Sequence, residues 1–174
     1  MSMRATLAKA SLWINIVLAA TFLGGSIYET LVINLIWSAS MPESLSFITN
    51  QQYSVNPGRF WPAFSPWYEI SLLSAVILNW PVPRRRTWML LSAGCYLALV
   101  VSTVFYFLPV LRILYSPDGA GYSGAELSAM GRNWMIGTYG RIALRLIILA
   151  ASVQALSIRF TAREKLSKAA NDAV

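Results

Sequence analysis

Arg141 and Arg145 stand four residues apart in a long apolar stretch running from Trp134 to Phe160. At a bilayer centre each would cost about 2.5 to 3.5 kcal/mol even on a lenient insertion scale, so something in the fold must compensate them. With Trp134 and Thr138 they follow spacings of four, three and four, which places all four side chains on one helical stripe. A carboxylate that answers them is Glu29, in the first apolar stretch. It lies eight residues before Trp37, about 12 Å along a helix; Arg141 and Arg145 lie about 10 Å and about 16 Å past Trp134. Two independent aromatic anchors thus bring carboxyl and guanidinium to similar depth. Two arginines facing one or two carboxylates leave positive charge and several N–H donors over, which suits the head of an anionic ligand. The same residues also read as an internal ion-pair network that fixes helix register, although buried pairs are weak evidence of stability.

The elements that must carry these groups are membrane helices. Of the 174 residues 56% are hydrophobic and 12% charged, and the mean hydropathy is +0.53, a composition of membrane proteins rather than soluble domains. Four spans are expected, about 12–37, 66–81, 88–114 and 134–160, each judged against the roughly 17 to 25 residues that cross the hydrocarbon layer. The fold class is therefore all-α, a single four-helix bundle embedded in the bilayer. The first stretch is too long for a secretory signal and lacks a small-x-small cleavage site, so it reads as a retained span.

Charge sets the orientation. The net charge of +7 is concentrated at span ends: Arg4 and Lys9, then Arg84, Arg85 and Arg86, then Arg159, Arg163, Lys165 and Lys168 in a basic tail at 161–174. Both termini and the loop between spans two and three are accordingly expected on the cytoplasmic side, in a multi-pass protein of a bacterial inner membrane. Anionic lipid accounts for this charge, and nucleic acid is not expected as a partner.

On the other side lie two connections. The first, 38–65, carries Phe47, Tyr53, Phe60, Trp61 and Phe64 among Pro57, Gly58 and Pro62, and reads as an aromatic cap over the bundle or an interfacial segment. The second opens with the turn-prone Ser116-Pro117-Asp118-Gly119 and then offers Ser123 as a helix N-cap with Glu126 three residues on. Pro109 is expected to kink the third span near its outer end. Arg59 and Arg112 read as interfacial anchors, and Gly24, Gly25, Gly137 and Gly140 as points of close helix approach.

Glu69 near the start of span two and Tyr106 near the outer end of span three add polar groups at the same end as Glu29 and the arginines. The inner half offers chiefly Ser92, Ser152 and Gln154. That asymmetry points to a pocket entered from the extracytoplasmic side or the outer leaflet, not to a pore.

Absences narrow the chemistry. The chain has no histidine and one cysteine, Cys95. Ordinary zinc, blue-copper, haem and iron–sulfur sites are thereby excluded, as is an internal disulfide, and no metal or other cofactor is expected. Neither a P-loop nor a dinucleotide-binding fingerprint occurs.

Three stretches carry a family resemblance: Gly24-Gly25-Ser26-Ile27-Tyr28-Glu29, Phe60-Trp61-Pro62, and Trp134 seven residues before Arg141. They resemble bacterial relatives of the anthrone oxygenase-like family of four-helix membrane proteins. Thr138 stands where that pattern has an asparagine, with a hydroxyl in place of the amide. The resemblance implies oxidation of an aromatic substrate by molecular oxygen without metal or flavin. Arg141 and Arg145 would hold the substrate anion, Glu29 would accept a proton, and Tyr28, Tyr106 and Trp134 would line an aromatic ligand, with Glu69, Thr138 and Trp61 as further ligand contacts. From the residues alone, two classes of function stand beside each other: a pocket for an amphiphilic small molecule, and an accessory or assembly subunit of a larger membrane complex. A homo-oligomer fits either. A small transporter is a third reading, disfavoured by polar groups confined to one half of the bundle.

Overall fold

The computed structural model describes residues 3–49, 59–116 and 121–158. The basic tail at 161–174, the end of the fourth expected span at 159–160, Tyr53, Pro57 and Gly58 of the first connection, and the turn at 117–120 lie outside the described residues. Within them every element is helical. The long helices are α1 (Met3–Trp37), α3 (Phe60–Asn79), α4 (Pro83–Leu114) and α5 (Gly124–Ser157), with a short α2 (Ser46–Thr49) between the first two. Helices α1, α4 and α5 are long and apolar enough to cross a membrane. Helix α3 has 20 residues, but Pro62, Ser65, Pro66 and Glu69 dilute its apolar run.

Helix ends follow local chemistry. The capping box expected at Ser123 is present: the Ser123 backbone N–H donates to the Glu126 carboxyl at 2.8 Å, while the Glu126 N–H donates to Ser123 Oγ. Pro83 begins α4, a position where its missing N–H costs nothing. Helix α3 starts at Phe60, so Phe60, Trp61, Pro62 and Phe64 belong to a helix and not to the aromatic connection expected over 38–65. Pro62 sits in its first turn, where proline is tolerated.

Two helices widen into π-helical turns, Glu29–Asn34 in α1 and Thr103–Phe107 in α4. The second directly precedes Leu108–Pro109, where the chain absorbs the proline's missing donor as a wide turn.

Helix α1 packs against α3 and α5, and α4 packs against the same two. One apolar core gathers Leu12, Phe22, Tyr68, Leu72, Met89 and Ile148. A second, at the opposite end, joins Trp37, Ile48, Phe107, Leu114, Leu127 and Trp134. The outside is apolar too: Trp13, Val17, Leu31, Leu73, Leu97, Phe105 and Ile136 are all at least half exposed or nearly so. Such a surface calls for lipid rather than water.

At the end that holds the start of α1 and the close of α5, a polar network crosses all four long helices. Asn15 donates to Ser152 Oγ (2.9 Å) and accepts from Ser71 (3.4 Å). Asn79 donates to the carbonyls of Ala75 (2.9 Å) and Ala8 (3.2 Å) and accepts from Arg85 Nη1 (2.9 Å). Arg85 also donates through Nε (2.9 Å) and Nη2 to the carbonyl of Ile158, which caps α5. The span sequences predict few polar groups in this half, chiefly Ser92, Ser152 and Gln154, and place Arg85 in a loop. Instead Arg85 lies on the buried face of α4, in register with Met89 and Ser92.

Candidate functional site

Between the two apolar cores the stripe of α5 meets the π-helical turns of α1 and α4. Helical spacing alone delivers Trp134, Thr138, Arg141 and Arg145 to one face, and three of them, Trp134, Thr138 and Arg145, are buried. Opposite, Glu29 opens the wide turn of α1, while Thr103 and Phe107 begin and end that of α4. Trp61 enters from the first turn of α3.

Trp61 couples the charges. Its indole Nε1 donates to Glu29 Oε2 at 3.1 Å, and its ring face carries the Arg145 guanidinium, with Cζ 4.6 Å from the centroid. Arg141 donates from Nη2 to Thr103 Oγ1 at 3.0 Å and stacks on Phe107, 4.2 Å from Cζ to centroid. The Thr103 hydroxyl donates its own hydrogen bond to the Leu99 carbonyl (2.7 Å), so its orientation toward Arg141 is fixed. Phe107 is steadied edge-on by Trp134, whose ring also meets Trp37. Gly137 makes room for Phe107, since a Cβ there would come within 2.9 Å of the ring.

Neither arginine forms an ion pair with Glu29 among the described residues; the carboxyl is held by Trp61 and the guanidinium groups by rings and a hydroxyl. Coulombic attraction still links Glu29 to both, and the two guanidinium groups repel one another. At the site's loop end, burial pushes the Tyr115 phenol above its usual value, and the Glu29 charge adds to that.

The groups enclose a chamber of about 20 Å³ lined by Ser26, Glu29, Asn34, Trp61, Trp134, Thr138, Arg141 and Arg145, room for one water-sized atom. Four buried polar atoms around it have no hydrogen-bond partner: Ser26 Oγ, Trp134 Nε1, Arg141 Nε and Arg145 Nε. Three of these can only donate. Beside the chamber runs a mostly apolar groove of about 380 Å³ between α3, α4 and α5, which shares Glu29, Trp61, Trp134, Arg141 and Arg145 with it and extends to Glu69 and Tyr96. This is the volume of an ordinary small-molecule site.

Of the residues singled out in the sequence, Glu29, Trp61, Trp134, Thr138, Arg141 and Arg145 come together. Glu69 lies farther along the groove, accepting from Tyr96 Oη at 2.8 Å. Tyr28 and Tyr106 do not reach the arginines: Tyr28 is 60% exposed and lines a hollow between α1 and α3 that Glu29 and Trp61 also border but neither arginine does, and Tyr106 rests edge-on against Phe107 outside the groove. Consecutive helical residues point about 100° apart, so Glu29 turns to the arginines while Tyr28 stays on the outer side, and Phe107 takes the inward place beside Tyr106. Thr103 and Phe107 belong to the site without being among the residues singled out in the sequence. Their signal was present, because Tyr96, Leu99, Thr103 and Phe107 share one helical face of α4.

No protein-family model, curated protein or solved structure matches this chain.

Proposed function

We propose that this chain is a four-helix membrane bundle with cytoplasmic termini that binds an amphiphilic or aromatic anion. In this reading α3 crosses the bilayer together with α1, α4 and α5, protected on two sides by α1 and α4. The ligand's anionic head is taken up by Arg141 and Arg145, its body lies in the adjoining apolar groove, and Glu29 tempers the surplus positive charge. One observation carries the proposal: three donor-only atoms, Trp134 Nε1, Arg141 Nε and Arg145 Nε, are buried without partners around one chamber at the side of an apolar groove. Buried donors left unmade cost about 1 to 3 kcal/mol each, so an acceptor that satisfies them binds with that advantage.

The resemblance noted in the sequence extends this reading to catalysis, with Glu29 accepting a proton from an aromatic substrate and molecular oxygen as oxidant. Oxygen uptake in the presence of phenolic aromatics, set against a Glu29→Gln variant, tests that extension. Binding itself is tested by native mass spectrometry after gentle detergent extraction. A bound small anion that disappears in Arg145→Leu is the expected result. An empty protein that copurifies in fixed ratio with other membrane subunits would favour the accessory role.

A further inference from the structure

We infer that the groove carries a second recognition point, the Glu69–Tyr96 pair, and that it selects amphiphiles bearing a hydroxyl group at a set distance from the anionic head. The inference rests on the anion-binding reading above and adds a specificity-determining residue to it.

Glu69 is exposed on α3, yet its level in the molecule is deep. Its partner Tyr96 lies thirteen residues from Pro83 and eighteen from Leu114, about 20 Å and about 27 Å along α4, which is itself a helix of membrane-crossing length. A carboxyl group at that depth is a functional candidate by default, because lipid offers it nothing. Tyr96 supplies one hydrogen bond, at 2.8 Å to Oε1. A carboxyl group has acceptor capacity for several, and among the described residues Tyr96 is its one hydrogen-bond partner. That spare capacity faces the same groove that reaches the arginines.

The spacing follows from α4. Thr103, which holds Arg141, lies seven residues beyond Tyr96, two turns or about 10 Å along the helix. Between them Leu99 and Val100 give the groove an apolar floor. A ligand that fills it presents an acceptor at Arg141 and Arg145, an apolar body of about 10 Å, and a donor to Glu69.

Octanoate and ω-hydroxyoctanoate serve as probes, titrated calorimetrically into the full-length protein in detergent. In wild type the hydroxylated probe binds about tenfold tighter, the difference expected of one hydrogen bond to a carboxylate. Glu69→Leu removes the preference by weakening the hydroxylated probe alone, without weakening octanoate. Tyr96→Phe, which frees Glu69, retains the preference. Equal binding of both probes to wild type, with octanoate still lost in Arg145→Leu, overturns the second recognition point and leaves the anion site standing. Equal weakening of both probes by Glu69→Leu shows a purely structural carboxyl and also overturns it. If neither probe binds wild type, the anion site falls and this inference with it.

Discussion

Arg85 and Arg145 are both more than nine-tenths buried, but they occupy opposite kinds of surroundings. Arg85 uses Nε, Nη1 and Nη2, ending on the side chain of Asn79 and on the carbonyl that closes α5, where the helix dipole favours a cation. Arg145 rests on an indole face, keeps an unpartnered Nε, and borders an open chamber with Arg141 beside it. The first arginine completes the hydrogen bonding of its neighbours and holds three helices in register. The second leaves donors unmet. The fold satisfies one buried guanidinium fully and leaves the other short, and on the proposed function that difference is what makes the Arg145 end the ligand-binding one.

The two arginines should therefore respond in opposite directions to the same change. Arg145→Met removes a poorly compensated buried charge, so thermal unfolding in detergent should show stability unchanged or raised by about 1 to 2 kcal/mol, while affinity for an anionic amphiphile falls about a hundredfold or more. Arg85→Met strands Asn79 Oδ1 and the Ile158 carbonyl. At about 1 to 3 kcal/mol for each stranded group, stability should drop by about 3 kcal/mol, a melting temperature lower by roughly 6 to 12 °C. Binding by whatever fraction remains folded should be unaffected. Equal losses of stability in the two variants would erase the distinction.

A subtler change tests whether the platform under Arg141 matters. Gly137→Ala places a Cβ about 2.9 Å from Phe107 Cζ, so the ring must shift. The expected cost is about 1 to 2 kcal/mol of stability from overpacking, together with weaker ligand binding, because Phe107 is the surface on which Arg141 lies. Gly140→Ala, one turn away with nothing near its added Cβ, should leave binding unchanged and raise stability by about 0.5 to 1 kcal/mol through helix propensity.

How much of this was readable beforehand depends on whether the governing physics is local. The stripe from Trp134 to Arg145 was legible because residues four, three and four apart on a helix share a face regardless of the rest of the fold. Glu29 was legible in depth, since two aromatic anchors gave independent rulers. Its true partner was not, because the Trp61 indole arrives from a helix start that the density of prolines and aromatics made look like a loop. Arg85 sat in a run of three arginines, and only the arrival of the α5 carboxyl end decides which one turns inward. Pro109 signalled a disturbance in α4 that takes the form of the wide turn just before it. The matching turn in α1 follows Glu29 with no proline or glycine inside it, and no local signal announces it.

Two hydroxyls carry the comparison to its finest scale. Thr138 lines the chamber beside the two arginines, whereas Ser11 belongs to the closed network, donating to the Ala8 carbonyl at 2.9 Å and receiving Asn79 Nδ2 at 3.5 Å. Each can be deleted with little change in volume. Thr138→Val should leave stability within about 0.5 kcal/mol of wild type, but remove one polar contact to the ligand head, weakening binding by about threefold to tenfold. Ser11→Ala should cost up to about 1 kcal/mol of stability and leave ligand affinity untouched. If Thr138→Val instead destabilises the fold without altering affinity, the chamber is held together by the same closed bonding as the Arg85 end, and the unmet donors there do not serve a ligand.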